Sequence, residues 1–177
     1  MISKFKIYKK IISEKNKPYI IAEACINHEG KLKIAKKMVD EASKAGVSAV
    51  KFQFHVLEDE MLKKTPKSNN FSESLYDALN RTNLTIEEHK YLKRYCEQKK
   101  VDYMCTPFSF KSADILEKDI KVKVFKVGSG ELTNLPLQIH IAKKKLPTII
   151  STGMSTLKEV EKKFYKIKKI KKNIALT

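Results

Sequence analysis

The feature that most limits how this chain can fold is a regular exchange of short apolar runs with segments of helical period. Pro18 to Ala24, Ser48 to Phe54, Val101 to Thr106, Val122 to Val127 and Pro147 to Ser151 each read as buried strands. A helical segment follows each one. Leu32 to Ala45 carries Ile34, Met38, Ala42 and Ala45 at spacings of three and four and stops at Gly46. Thr85 to Glu88 and Thr156 to Glu159 are capping boxes that open two further helices, the first running to Lys99. Ser109 to Lys118 and Asn134 to Lys145 complete the set, with Pro136 tolerated in a first turn. Ile174 to Thr177 reads as the start of a sixth strand. Strict alternation of this kind implies parallel strands joined by right-handed crossovers.

Two architectures satisfy that rule, a doubly wound sheet and part of a (β/α)8 barrel. Strand polarity separates them. Lys51 and Gln53 share one face of the second strand, while Val50, Phe52 and Phe54 share the other. Lys126 likewise opposes Phe125 and Val127. A sheet covered by helices on both faces should be apolar on both. Polar residues on one face near the carboxyl ends fit the inner mouth of a barrel. The loop after the first strand, Cys25 to Gly30, also lacks GxGxxG. The expected fold is therefore α/β, an incomplete TIM barrel of about five and a half βα units.

Composition narrows the function classes. The net charge of +17 invites a nucleic-acid reading, but only Arg81 and Arg94 are arginines and no nucleic-acid motif accompanies the lysines. We expect a lysine-rich solvated surface that also attracts an anionic substrate, and no nucleic-acid partner. No apolar run is long enough to span a membrane, and no secretory h-region is present. Cys25, Cys96 and Cys105 lie far apart without metal spacing, which suits reduced thiols in a cytoplasmic protein.

Glu23, Lys51, Gln53, Thr106, Lys126, Ser129, Glu131, Ser151 and Thr152 all stand at or just beyond strand ends. On a barrel they converge on one rim. Two lysines among hydroxyls suit a small phosphorylated carboxylate, because a buried ammonium is costly unless an anion meets it. Ser129-Gly130 and Thr152-Gly153 precede helices and promise backbone donors. Glu23 and Glu131 are the candidate acid/base carboxylates. Against this, strand-end hydroxyls often only cap loops, and one lysine alone can snorkel to water. His28 and His55 read as polar surface residues of loops, and His89 and His140 as structural residues of helices.

Ile21-Ala22-Glu23, Asn27-His28-Glu29-Gly30, Val50-Lys51-Phe52-Gln53, Thr106-Pro107-Phe108-Ser109, Phe125 to Glu131, Thr133 to Leu137 and Ser151-Thr152-Gly153-Met154, in this order, closely resemble the sialic acid synthase (N-acetylneuraminate synthase) family. The resemblance covers nearly the whole chain, including a lysine-rich start (residues 1–17) similar to the strand pair that precedes the family barrel (here residues 18–177). It implies a transferase that condenses phosphoenolpyruvate with N-acetylmannosamine or a related N-acetylated amino sugar to a nonulosonic acid. It implies that Lys51, Thr106, Lys126, Ser129 and Ser151 hold phosphoenolpyruvate, that Glu23 and Glu131 are catalytic, and that Gln53 and Asn70 face the sugar. It also implies a divalent metal, manganese or magnesium, whose histidine ligands in the family lie on strand six and beyond and are absent from this chain.

The chain stops inside its sixth strand, and five or six strands cannot close an eight-stranded barrel. Open edge strands and inner apolar layers facing water are the expected result, with self-association or a complementary chain as partner. Little or no synthase activity is expected of the chain alone, and an interrupted or split gene is the simplest reading. A non-catalytic half-barrel that binds a phosphorylated ligand is the alternative.

Overall fold

The computed structural model describes residues 4–64, 67 and 72–177. It opens with an antiparallel hairpin, β1 (Phe5–Ile7) and β2 (Lys10–Ile12). Six parallel strands follow in strict sequence order within one sheet: β3 (Ile21–Cys25), β4 (Ala49–Phe54), β5 (Asp102–Pro107), β6 (Phe125–Val127), β7 (Thr148–Ile150) and β8 (Ile174–Leu176). Between them run α1 (Leu32–Lys44), α2 (Leu57–Glu60), α3 (Leu75–Thr82), α4 (Ile86–Gln98), α5 (Phe110–Lys118), α6 (Leu135–Lys143) and α7 (Leu157–Ile170). Sequential parallel order without a switch point is barrel topology, not the doubly wound kind. No helix among the described residues is long and apolar enough to cross a membrane.

Local chemistry explains most boundaries. Thr85 and Thr156 cap α4 and α7 through complete capping boxes. Ser109 and Ser112 form a third, opening α5. The first strand begins at Ile21, three residues later than the apolar run suggests, and β6 is confined to Phe125–Val127. The connection after β4 contains the single turn α2 before α3. Glu60 closes that turn by accepting the Val56 N–H at 2.7 Å.

The two faces of the sheet divide as strand polarity requires. Val50, Phe52, Tyr103, Cys105, Phe125 and Ile150 point outward into the core shared with the helices. Ala49, Met104, Val124 and Ile149 point inward, and here the structure corrects an expectation. These inner residues do not face water: Phe5 and Ile7 of the hairpin pack against them, leaving Met104 and Val124 fully buried. The hairpin is the floor of the sheet's concave face. Tyr8 fastens it by donating its hydroxyl to the Tyr103 carbonyl at 2.6 Å. Strands β3 and β8 each pair on one side only among the described residues.

The loop after β3 must approach α3 closely, and Gly30 permits it. Its φ is +72°, and a Cβ there would lie 2.5 Å from the Arg81 carbonyl oxygen. Gly30→Ala is expected to destabilise the fold by about 2 kcal/mol or more, read as a shift in urea midpoint. Gly46, at φ +74° with nothing within 4 Å of such a Cβ, is the control. There, alanine should cost only the left-handed backbone, about 1 kcal/mol.

Candidate active site

Above that floor, the inner face changes from apolar to charged. Lys51 stands two residues beyond Ala49 on β4, and Lys126 two beyond Val124, so both ammonium groups rise on the concave side. Lys51 Nζ lies 2.6 Å from Glu23 Oε2 and donates to Thr106 Oγ1 at 3.1 Å. Lys51 is buried, while the Glu23 carboxylate is 48% exposed and open to the rim. Lys126 donates to the Ser151 hydroxyl and to the Val127 carbonyl. The structure thus gathers Glu23, Lys51, Thr106, Lys126 and Ser151 into one cluster across the ends of five neighbouring strands.

Its electrostatics are unbalanced. Burial, reinforced by the Lys51 ammonium and partly opposed by Glu23, pulls the Lys126 pKa down to about 8. Two cations meet one carboxylate, so the rim is short of negative charge. The thiols nearby are no nucleophiles: burial pushes Cys25 up to about 11 and Cys105 up to about 12.

The remaining expected residues sit at the edge of the cluster. Ser129 begins a 3-10 turn, Ser129–Leu132, and not an α-helix, because α6 starts only at Leu135. Its hydroxyl lies against Gly153, where a Cβ would come within 2.9 Å of Ser129 Oγ. Glu131 accepts from Asn134 Nδ2 at 2.8 Å, which ties it to the α6 cap. The Thr152 N–H, expected as a free donor, is taken by the Thr177 carbonyl at 2.8 Å. Asn70 lies outside the described residues.

The loop histidines are corrected. His28 and His55 are buried, not surface polar. His55 continues the inward column of Lys51 and Gln53 by one more step of two, a signal present in the sequence. Its ring stacks on Phe108, with centroids 4.4 Å apart, and its Nδ1 lies 2.7 Å from Glu60 Oε2. Its Nε2 lies 3.3 Å from the Gln53 carboxamide. His89, expected to be structural, is buried with Nδ1 2.6 Å from the Tyr103 hydroxyl.

A divalent cation does not fit this donor set. The one rim carboxylate in the cluster, Glu23, is engaged by Lys51, and a second ammonium stands beside it. No three His, Cys, Asp or Glu side chains converge as a metal site among the described residues.

Fold and rim together define a class: a parallel β/α domain of barrel type whose strand ends present two ammonium groups amid hydroxyls. Residues 38–177 match the NeuB family. The chain belongs to that family, a family of sialic acid and related nonulosonic acid synthases. It is 41% identical over 148 residues to the N,N'-diacetyllegionaminic acid synthase of Legionella pneumophila, covering 80% of this chain and 41% of that protein. To the N-acetylneuraminate-9-phosphate synthase of Drosophila melanogaster it is 34% identical over 149 residues, covering 81% and 40%. The crystal structure of the N-acetylneuraminic acid synthetase of Leptospira borgpetersenii in complex with citrate superposes with a TM-score of 0.83 at 29% identity, over 99% of this chain and 59% of that one. A truncated 3-deoxy-D-arabino-heptulosonate 7-phosphate synthase from Thermotoga maritima shares the fold, with a TM-score of 0.70 at 11% identity. The chain spans less than half the length of the curated relatives it matches.

Proposed function

We propose that this chain carries the phosphoenolpyruvate half of a nonulosonic acid synthase site, using an N-acetylated amino sugar such as N-acetylmannosamine as the second substrate. One observation carries the reading: Lys51 and Lys126 share the concave face, flanked by Thr106 and Ser151, with Glu23 the single carboxylate among them. The lysines hold the carboxylate and phosphate of phosphoenolpyruvate as point charges, and the hydroxyls of Thr106, Ser129 and Ser151 donate to its oxygens. Its methylene carbon attacks the sugar aldehyde, forming the new C–C bond as the C=O π pair moves to the aldehyde oxygen, which takes a proton from solvent. Water adds to the resulting cationic carbon with loss of one proton, and phosphate leaves by C–O cleavage as the new hydroxyl gives up its proton to form the ketone. Glu23, half-exposed beside Lys51, is placed to take the proton of that water, and Glu131 stands at the sugar end with Gln53.

A binding-only role, with the rim completed by a complementary chain, is the second reading. The excess of ammonium groups over carboxylates in the cluster favours it, since that suits anion binding with or without catalysis. A titration with phosphoenolpyruvate, followed by a phosphate-release assay with N-acetylmannosamine, tests both. Binding with release supports the synthase reading, binding without release the second, and no binding overturns both.

Gly153→Ala gives a local check. The added methyl is expected to turn the Ser129 hydroxyl aside, since the atom it meets is a side-chain oxygen with room to rotate. Phosphoenolpyruvate affinity should fall about tenfold, the loss of one hydrogen bond to a charged group. The urea midpoint should barely move.

A further inference from the structure

Next to the lysine cluster stands a second buried polar group, centred on one imidazole. His55 and Glu60 side chains are each only 4% exposed. Four segments meet on this residue. Its carbonyl accepts from Asn83 Nδ2 at 2.9 Å, beyond the end of α3. Its ring stacks on Phe108, in the loop after β5. Nδ1 faces Glu60 of α2, whose other oxygen holds the Val56 N–H. Nε2 faces the carboxamide oxygen of Gln53 at 3.3 Å, on the inner face of β4.

We infer that His55, held by Glu60, is a positioning residue that sets which end of the Gln53 carboxamide faces the rim; the inference rests on the synthase reading given above. An ionised carboxylate can only accept, so Glu60 fixes a proton on Nδ1. With its proton on Nδ1 the ring offers Nε2 as an acceptor, and the Gln53 amide turns its N–H toward it in place of the oxygen that stands there. Carboxamide oxygen and nitrogen exchange by a half-turn, so the contact is met without moving the backbone. The carboxamide oxygen is thereby left toward the open side, where it accepts from a donor on the sugar, a hydroxyl or the N–H of an N-acetyl group. Phe108 locks the plane of the ring, so the choice is built in before ligand arrives. This is the arrangement expected of a group that orients a specificity residue without touching substrate itself.

Long-range 1H–15N spectra of the histidine-labelled full chain test the device directly. The expected signature is His55 as the Nδ1–H tautomer, changing to Nε2–H or a mixture in Glu60→Ala. Titration with N-acetylmannosamine at saturating phosphoenolpyruvate then compares Gln53→Ala, His55→Phe (which keeps the stack on Phe108) and the double variant. All three should weaken sugar binding by a similar factor, about tenfold, because His55 acts only through Gln53. An Nε2–H tautomer in the wild type overturns the inference. So do additive losses in the double variant, or a wild-type chain that binds phosphoenolpyruvate but no sugar. Failure to bind phosphoenolpyruvate overturns the synthase reading instead, and leaves the tautomer to report on the contact alone.

Discussion

Lys126→Met is expected to make the chain more stable at pH 7 while removing most of its affinity for phosphoenolpyruvate. The native fold holds Lys126 with a pKa near 8, against an ordinary value of 10.5, chiefly through burial and then through Lys51. Keeping it charged at neutral pH therefore costs stability. Discounted for its partial access to solvent, the relief is about 1–2 kcal/mol, or roughly 2–8 °C in melting temperature for a chain of this size. Methionine matches the stem of lysine and fills its space. Affinity should fall about 100-fold, the value of a charge-assisted hydrogen bond to an anion. Lys51→Met should lose affinity similarly without the gain in stability, because it also removes the partner of Glu23. Thermal melts and calorimetric titrations of both variants check this. Equal or lower stability for Lys126→Met would show that the two ammonium groups do not strain the rim.

The second large effect is acid sensitivity. Burial, with smaller contributions from His28 and His55, pulls the His89 pKa down to about 3, and burial also lowers that of His28. Below the ordinary value of 6.5, the unfolded chain takes up protons that the native state refuses until about pH 3. Stability therefore falls as pH drops through that window. Between pH 7.5 and 5 the loss from His89 alone is about 2 kcal/mol, and His28 adds in the same direction. Ordinary carboxylates remain ionised over most of that range, which makes it diagnostic. Urea midpoints at pH 7.5 and 5.0 measure the loss, and His89→Leu should flatten the difference while lowering the neutral value, since it orphans the Tyr103 hydroxyl. Identical wild-type midpoints at both pH values would contradict the burial of these rings.

Much of the domain was legible because periodicity reports burial directly. The inward step of two from Lys51 to Gln53, and the apolar partners on the other face, located the rim without any coordinates. The capping boxes at Thr85 and Thr156 did the same for helix starts, since their hydrogen bonds lie within four residues. Long-range contacts were not legible. Phe5 and Ile7 sit in a strand of three residues, and their packing against Met104, Val124 and Ile149 spans roughly a hundred positions or more. Without that floor, the inner layer appeared destined for water. His28 and His55 misled for a related reason. A histidine in a loop reads as polar until a neighbour from another segment covers it, and Phe52, Phe108 and Glu60 do so. The Thr152 N–H looked free because its acceptor, the Thr177 carbonyl, lies just past the end of the next strand.

One titration decides the central claim, that Lys51 and Lys126 form an anion site for phosphoenolpyruvate. The wild-type chain is titrated calorimetrically at pH 7.0 and again at pH 9.5, in buffers of different ionisation enthalpy. Anion binding favours the charged lysine, so the pKa near 8 should rise in the complex. Affinity is lost as pH climbs through the free value. The expected result is binding at pH 7.0 with little proton exchange, and binding weaker by about tenfold or more at pH 9.5, there accompanied by proton uptake. No binding at pH 7.0, or equal affinity at both pH values with no proton exchanged, would show that the cluster is not the site.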